Sequence, residues 1–238
     1  MIILEQVYVY KNAKSQKHVL IRDIMSTVMN GLYTSSIVRP LVFPLIMFLP
    51  NAIMGRDIIF TESINLGPAW IQFFMVIMFY SFLRYGAHRI QHTIPFLWEL
   101  HSYHHTVTDI RASNLLVSHP LDYFNRNSLP PIILALIGFN HTALLVAVGV
   151  LGTMSVFSHC GSAARAGWLN SIFMTPEVHR WPYAIITPKG HEYSVNYGVG
   201  FNVWDRIFGT FYLPYKDGIP EQPEDMATRM GMRMRKII

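Results

Sequence analysis

Charge is what this 238-residue chain has least of: 14% of its residues are charged while 51% are hydrophobic, against about 25% charged in an ordinary soluble domain. That shortage points to lipid as part of the solvent. Cysteine is nearly missing as well. Cys160 stands alone, which excludes a disulfide framework and a thiolate metal site, so any metal must rest on nitrogen and oxygen. No basic stripe with interleaved aromatics runs through the sequence, and the formal charge of +5 suits anionic headgroups better than nucleic acid. There is no Gly-x-Gly-x-x-Gly and no cysteine-rich cluster, hence no reductase motif. The first 17 residues lack the apolar core of a signal peptide, so the protein is expected to be retained on insertion. One domain with a full core is expected at this length.

What the chain does have is histidine. Ten of its 11 histidines lie between His88 and His191. His88 and His92 are four apart, and His101, His104 and His105 stand at i, i+3 and i+4. On a helix each set points to one face. Pro95 lies between the sets and is expected to break the segment, turning the two groups of imidazoles toward a shared point. A lone histidine reads as an ordinary polar or core residue. Five at helical spacing read as metal binding, because neutral imidazole is the commonest nitrogen ligand for iron, zinc and copper.

The rest of the chain divides into three. Residues 1–36 form a polar segment with an amphipathic helix over 19–32, residues 37–215 a membrane-embedded domain, and residues 216–238 a polar basic tail carrying Arg229, Arg233, Arg235 and Lys236. Apolar runs fall at 41–54, 66–83 and 132–157. The second reads as the clearest spanning segment and leads directly into His88. The third contains Gly138-Phe139-Asn140 and reads as a helical hairpin, with His159 at its end. The expected fold is all-α: about four membrane-embedded segments beneath a helical cap that holds the histidines, placed on the cytoplasmic side by the positive-inside rule.

His88-x-x-x-His92, His101-x-x-His104-His105 and His159 stand with Phe96-Leu97-Trp98, His119-Pro120-Leu121-Asp122 and Thr175-Pro176-Glu177-Val178-His179-Arg180-Trp181. Asn196-Tyr197-Gly198 and Trp204-Asp205-Arg206-Ile207-Phe208-Gly209-Thr210 complete the set. In these motifs the chain resembles the fatty acid hydroxylase/sterol desaturase superfamily. The resemblance implies an integral membrane oxygenase with a histidine-bound di-iron centre. Such enzymes use oxygen and two electrons on lipids, sterols, carotenoids or alkyl chains. It implies an apolar lipid-like substrate and, with no reductase motif in the chain, a separate electron donor. Carried over residue by residue, the metal ligands are His88, His92, His101, His104, His105, His159 and His179, with His119 and His191 as lesser candidates. Behind them, Glu99 is a candidate to orient a ligand, Asn196 to anchor a loop, and Asp205 to cap or pair structurally.

One motif departs from the family. Where the third box reads His-x-x-His-His, this chain reads His179-Arg180-Trp181-Pro182-Tyr183. Proline has no ligand atom, and a phenol is an unusual replacement for imidazole. Two readings stay open on this ground. The first is an oxygenase with one or two irons. The second is a pseudoenzyme that keeps the fold as a structural or regulatory subunit of a larger membrane complex, with one iron or none.

Overall fold

The computed structural model describes residues 67–107, 110–160, 166–184, 188, 190–216 and 218–221, together with Met25, Val28 and Leu32. Those three are helical and exposed; the remainder of the amphipathic stretch, the 41–54 run and the basic tail from 222 onward lie outside the described residues. The first complete helix, α1 (Ala69–Thr93), begins after Gly67-Pro68. It runs through the apolar stretch into the first histidine pair. Proline stops it: Ile94, the residue before Pro95, is extended at φ −92° and ψ 119°, the conformation that a following proline favours. Pro95 then opens α2 (Pro95–Ser102), where its missing N–H costs nothing. A 3₁₀ turn at His104–Thr106 follows.

His119 caps α3 (Pro120–Tyr123), its Nδ1 accepting from the Leu121 N–H at 3.2 Å. A π turn, Phe124–Ser128, passes the chain into α4 (Leu129–Ile137). Gly138 ends α4 in the left-handed region at φ 96°, a conformation that glycine adopts without penalty. Two residues later Asn140 caps α5 (His141–Ser158), its Oδ1 accepting from the Ala143 N–H at 2.8 Å. The 132–157 run is therefore a hairpin of two helices, as its Gly-Phe-Asn break foretells. Beyond it lie a 3₁₀ turn at Gly167–Ser171, α6 (Pro176–His179) capped by Thr175, a 3₁₀ turn at Trp181–Tyr183, and α7 (Val203–Ile207). A two-residue antiparallel pair, β1 (Tyr215–Lys216) and β2 (Ile219–Pro220), closes the described chain. The fold is mostly helical.

The apolar core sits where α1, α4 and α5 meet. Val76, Ile77 and Tyr80 of α1 pack with Leu134, Phe139, Ala143, Leu144, Ala147 and Leu151. Among the described residues, no helix is long and apolar enough to cross a membrane. Past the core, the C-terminal part folds back on α1. Trp204 Nε1 donates to Ser81 Oγ at 3.2 Å, and the Tyr85 and Phe208 rings stack with centroids 5.4 Å apart. This return brings residues more than 100 positions away in sequence against the end of α1 that carries His88 and His92.

Gly198 is where that return is tightest. A Cβ there would collide with the Phe201 carbonyl oxygen and stand 2.5 Å from Asp205 Oδ2. Gly198→Ala should destabilise the protein by about 1–3 kcal/mol, the usual cost of overpacking a site that cannot relax. Thermal unfolding of the purified chain measures it; Gly149→Ala, in open space on α5, should leave the midpoint unchanged or raise it.

Candidate metal centre

Burial makes the histidines unusual before any ligand is considered. His88, His92, His101, His104, His105, His159 and His179 are all buried, each at 6% exposure or less. They fall into two clusters. In the first, His88 and His92 come from successive turns of α1, His101 from the last turn of α2, and His105 from the 3₁₀ turn behind it. Their donor nitrogens all lie within 4.8 Å of one another. The close pairs are His88 Nε2 with His92 Nε2 at 3.3 Å and His101 Nε2 with His105 Nε2 at 3.1 Å. Two nitrogens each about 2.1 Å from one ion stand about 3.0–3.4 Å apart, so both pairs match edges of one coordination sphere.

The other nitrogens of this cluster explain how the rings are aimed. His88 Nδ1 donates to the Tyr197 carbonyl at 2.9 Å, and His101 Nδ1 donates to Asp122 Oδ1 at 2.9 Å. Each of these bonds fixes the tautomer, leaving the Nε2 lone pair turned inward. Asp122 is buried; its Oδ1 also accepts from Gln91 Nε2 at 2.6 Å and its Oδ2 from Arg126 at 2.8 Å. Burial pushes the His88 imidazole down to about 3, with Arg126 adding to the effect. It is held neutral, the form that binds metal. Four buried imidazoles, of which His88 and His101 are anchored through Nδ1 with Nε2 turned inward, fit a divalent cation that accepts nitrogen.

The second cluster holds His104, His159, His179 and Tyr183. His104 and His105 are neighbours in sequence, yet their rings stand at 88° and serve different clusters. His104 Nδ1 donates to the Val117 carbonyl at 2.8 Å and His159 Nδ1 to the Ser155 carbonyl at 2.9 Å. His159 Nε2 lies 3.3 Å from His179 Nε2. The Tyr183 hydroxyl stands 2.5 Å from His104 Nε2 and 3.2 Å from His159 Nε2. Burial pushes the His159 imidazole down to about 3, holds His104 and His179 well below the ordinary imidazole value, and raises the Tyr183 phenol. The Tyr183 ring lies 4.5 Å from that of His105, so the clusters abut.

The remaining sequence candidates lie outside both clusters. His119 is the α3 cap. His191 is half-buried and packs its ring on Tyr212, centroids 5.9 Å apart. Glu99 is exposed on α2; the carboxylate that meets an imidazole is Asp122, which lies within a motif quoted from the sequence but was not singled out there. Asn196, at φ 54°, donates to the Val178 and Tyr212 carbonyls at 3.0 and 2.7 Å. Asp205 accepts from the Tyr197 and Gly198 N–H groups at 2.7 and 2.8 Å and from Thr210 at 2.7 Å. Burial pushes its carboxyl up to about 6 against these donors. Together Asn196 and Asp205 hold the turn whose Tyr197 carbonyl orients His88. A cleft of about 460 Å³ lined by Trp70, Phe73, Ala143 and Val146 opens at the other end of α1 and α5. From Phe73 to His92 is about 28 Å of helix, so this cleft does not serve the histidines.

Residues 73–210 match the family model described as fatty acid hydroxylase. Ornithine lipid hydroxylase OlsE of Rhizobium tropici is 31% identical over 147 residues, covering 62% of this chain and 44% of that protein. Alkylglycerol monooxygenase of Caenorhabditis elegans is 27% identical over 157 residues, 60% of this chain and 28% of that protein. The chain thus spans less than half the length of either relative. No solved structure gives a significant match.

Asp122→Ala would leave His101 free to turn and Arg126 without its carboxylate. Loss of such a support typically lowers metal affinity about 10–100-fold. Competition with a chelator measures it, and Glu99→Ala should leave affinity where it was.

Proposed function

As the chain belongs to the fatty acid hydroxylase family, we propose that it is a membrane-bound, oxygen-dependent lipid hydroxylase with iron in the four-histidine cluster. The single observation that carries this is the cluster itself: His88, His92, His101 and His105, buried and with donor nitrogens within 4.8 Å of one another. Iron supplies, when bound, the oxygen reduction that attack on an unactivated C–H bond requires. The chain's own residues do the rest. Tyr197 and Asp122 aim two rings. Trp98, buried and 5.1 Å from the His92 ring, closes one side of the cluster to water, which protects a reactive site.

Membrane attachment is supported by the outward faces of α1 and α5. Trp70, Phe74, Phe79 and Phe82 on one, and Leu145, Val146, Val150 and Phe157 on the other, are exposed apolar side chains. So large an uncovered apolar face fits lipid better than water. The histidine end then lies at the membrane surface, on the cytoplasmic side by the charge rule, within a domain spanning 37–215. The names of the two relatives, with an ornithine lipid in one and an alkylglycerol in the other, point to a lipid as the substrate class. Electrons come from a separate donor. A second reading, a catalytically inactive subunit of a membrane complex, draws on Pro182 and Tyr183.

Purified chain in liposomes, loaded with ferrous iron and given a chemical reductant, should consume oxygen when an acyl or ether lipid is present. The product should carry one added oxygen atom by mass spectrometry. His92→Ala should lower turnover at least about 100-fold through loss of iron. Iron bound by wild type with no oxygen uptake on any lipid tested would favour the inactive subunit.

A further inference from the structure

The second cluster differs from the first in what lies at its middle. In the first, the inward atoms are imidazole nitrogens. In the second, the Tyr183 hydroxyl stands between His104 and His159, and the residue is 1% exposed. Among the described residues, His88, His92, His101 and His105 form the one group of His, Cys, Asp or Glu with donor atoms close enough to share an ion.

Proton bookkeeping shows how the second cluster closes on itself. His104 Nδ1 faces the Val117 carbonyl and His159 Nδ1 faces the Ser155 carbonyl. A carbonyl only accepts, so both Nδ1 atoms carry the proton and both Nε2 atoms are acceptors. The Tyr183 O–H donates to His104 Nε2 at 2.5 Å. The acceptor nitrogen of His104 is thereby served without an ion, and His179 Nε2 stands 3.3 Å from His159 Nε2. The 2.5 Å separation is also too short for two ligands of one metal, which stand about 3 Å apart; it is a hydrogen-bond length.

We propose that the protein is a one-metal centre in which the Tyr183 hydroxyl fills the place of a second cation and locks His104 and His159 by hydrogen bonding. This rests on the functional reading above for the four-histidine cluster alone. Pro182 assists by fixing the backbone: it lies buried in the 3₁₀ turn Trp181–Tyr183, between His179 and the tyrosine.

The test counts metal. The 238-residue chain is loaded anaerobically with ferrous iron, freed of unbound metal, and measured for iron per chain by mass spectrometry; a visible spectrum is taken after air oxidation. Wild type should hold one iron, His92→Ala none, and Tyr183→Phe one. Wild type should show no phenolate-to-ferric charge-transfer band. Tyr183→His supplies a fourth imidazole to the second cluster and should raise the count to two. Should that variant not fold, Tyr183→Ala with added imidazole serves the same purpose. Two irons in wild type, falling to one in Tyr183→Phe with loss of a visible band, would make Tyr183 a ligand and overturn the one-metal centre while sparing the four-histidine reading. No second iron in either enlarged variant would show that Tyr183 is not what excludes it. Folded wild type with no iron would remove the four-histidine reading and the one-metal centre together.

Discussion

A buried imidazole has two nitrogens and no water, so the partner of one fixes the role of the other. Nearly everything around the two clusters follows from that. Four acceptors set four rings: the Tyr197 carbonyl for His88, Asp122 for His101, the Val117 carbonyl for His104 and the Ser155 carbonyl for His159. They come from four separate places in the chain. The Tyr197 carbonyl is held by Asp205 and Asn196, Val117 follows the 3₁₀ turn Ala112–Asn114, and Ser155 is in the last turn of α5. The fold is thus a set of supports for lone-pair directions, and the α1, α4 and α5 core gives those supports a rigid base.

Charge near the clusters is managed with equal economy. Asp122 is buried among three donors from His101, Gln91 and Arg126. A buried carboxylate is tolerable only when its oxygens are served in this way. The π turn Phe124–Ser128 makes it possible by presenting two neighbouring side chains to different partners. Arg126 reaches Asp122, and Asn127 accepts from Arg84 at 2.8 Å. Arg84 also donates to Ser155 Oγ at 3.3 Å, joining α1 to the turn of α5 that orients His159. One irregular turn therefore links the supports of both clusters, in keeping with the concentration of π turns at functional sites.

Much of this was legible from residues alone. Pro95 marked the break between α1 and α2 because proline disfavours the helical conformation in the residue before it. Gly138 and Asn140 marked the hairpin because one suits a left-handed stop and the other a helix cap. Histidine spacing marked a nitrogen-based metal site, and a single cysteine excluded a thiolate one. Asp122 was quoted within its motif yet not chosen, since nothing local says that a carboxylate 21 residues after His101 will meet its ring. Glu99, two residues before His101, was the natural sequence candidate, but it faces solvent on the other side of α2.

Composition, periodicity and the breakers determined the element types, the helical class and the list of histidines. Those are local properties, set by backbone sterics and by the period of the apolar pattern. Only the tertiary structure decided how the histidines are shared. His101, His104 and His105 read as one face of one helix, but the helix ends at Ser102 and tightens into a 3₁₀ turn. That change of pitch sends His104 to His159 and His179 while His101 and His105 join His88 and His92. The part played by Tyr183 was equally hidden. In sequence it is a missing histidine; in space its hydroxyl stands between the imidazoles of His104 and His159, because the chain after α5 folds back against the 3₁₀ turn His104–Thr106 and places it there.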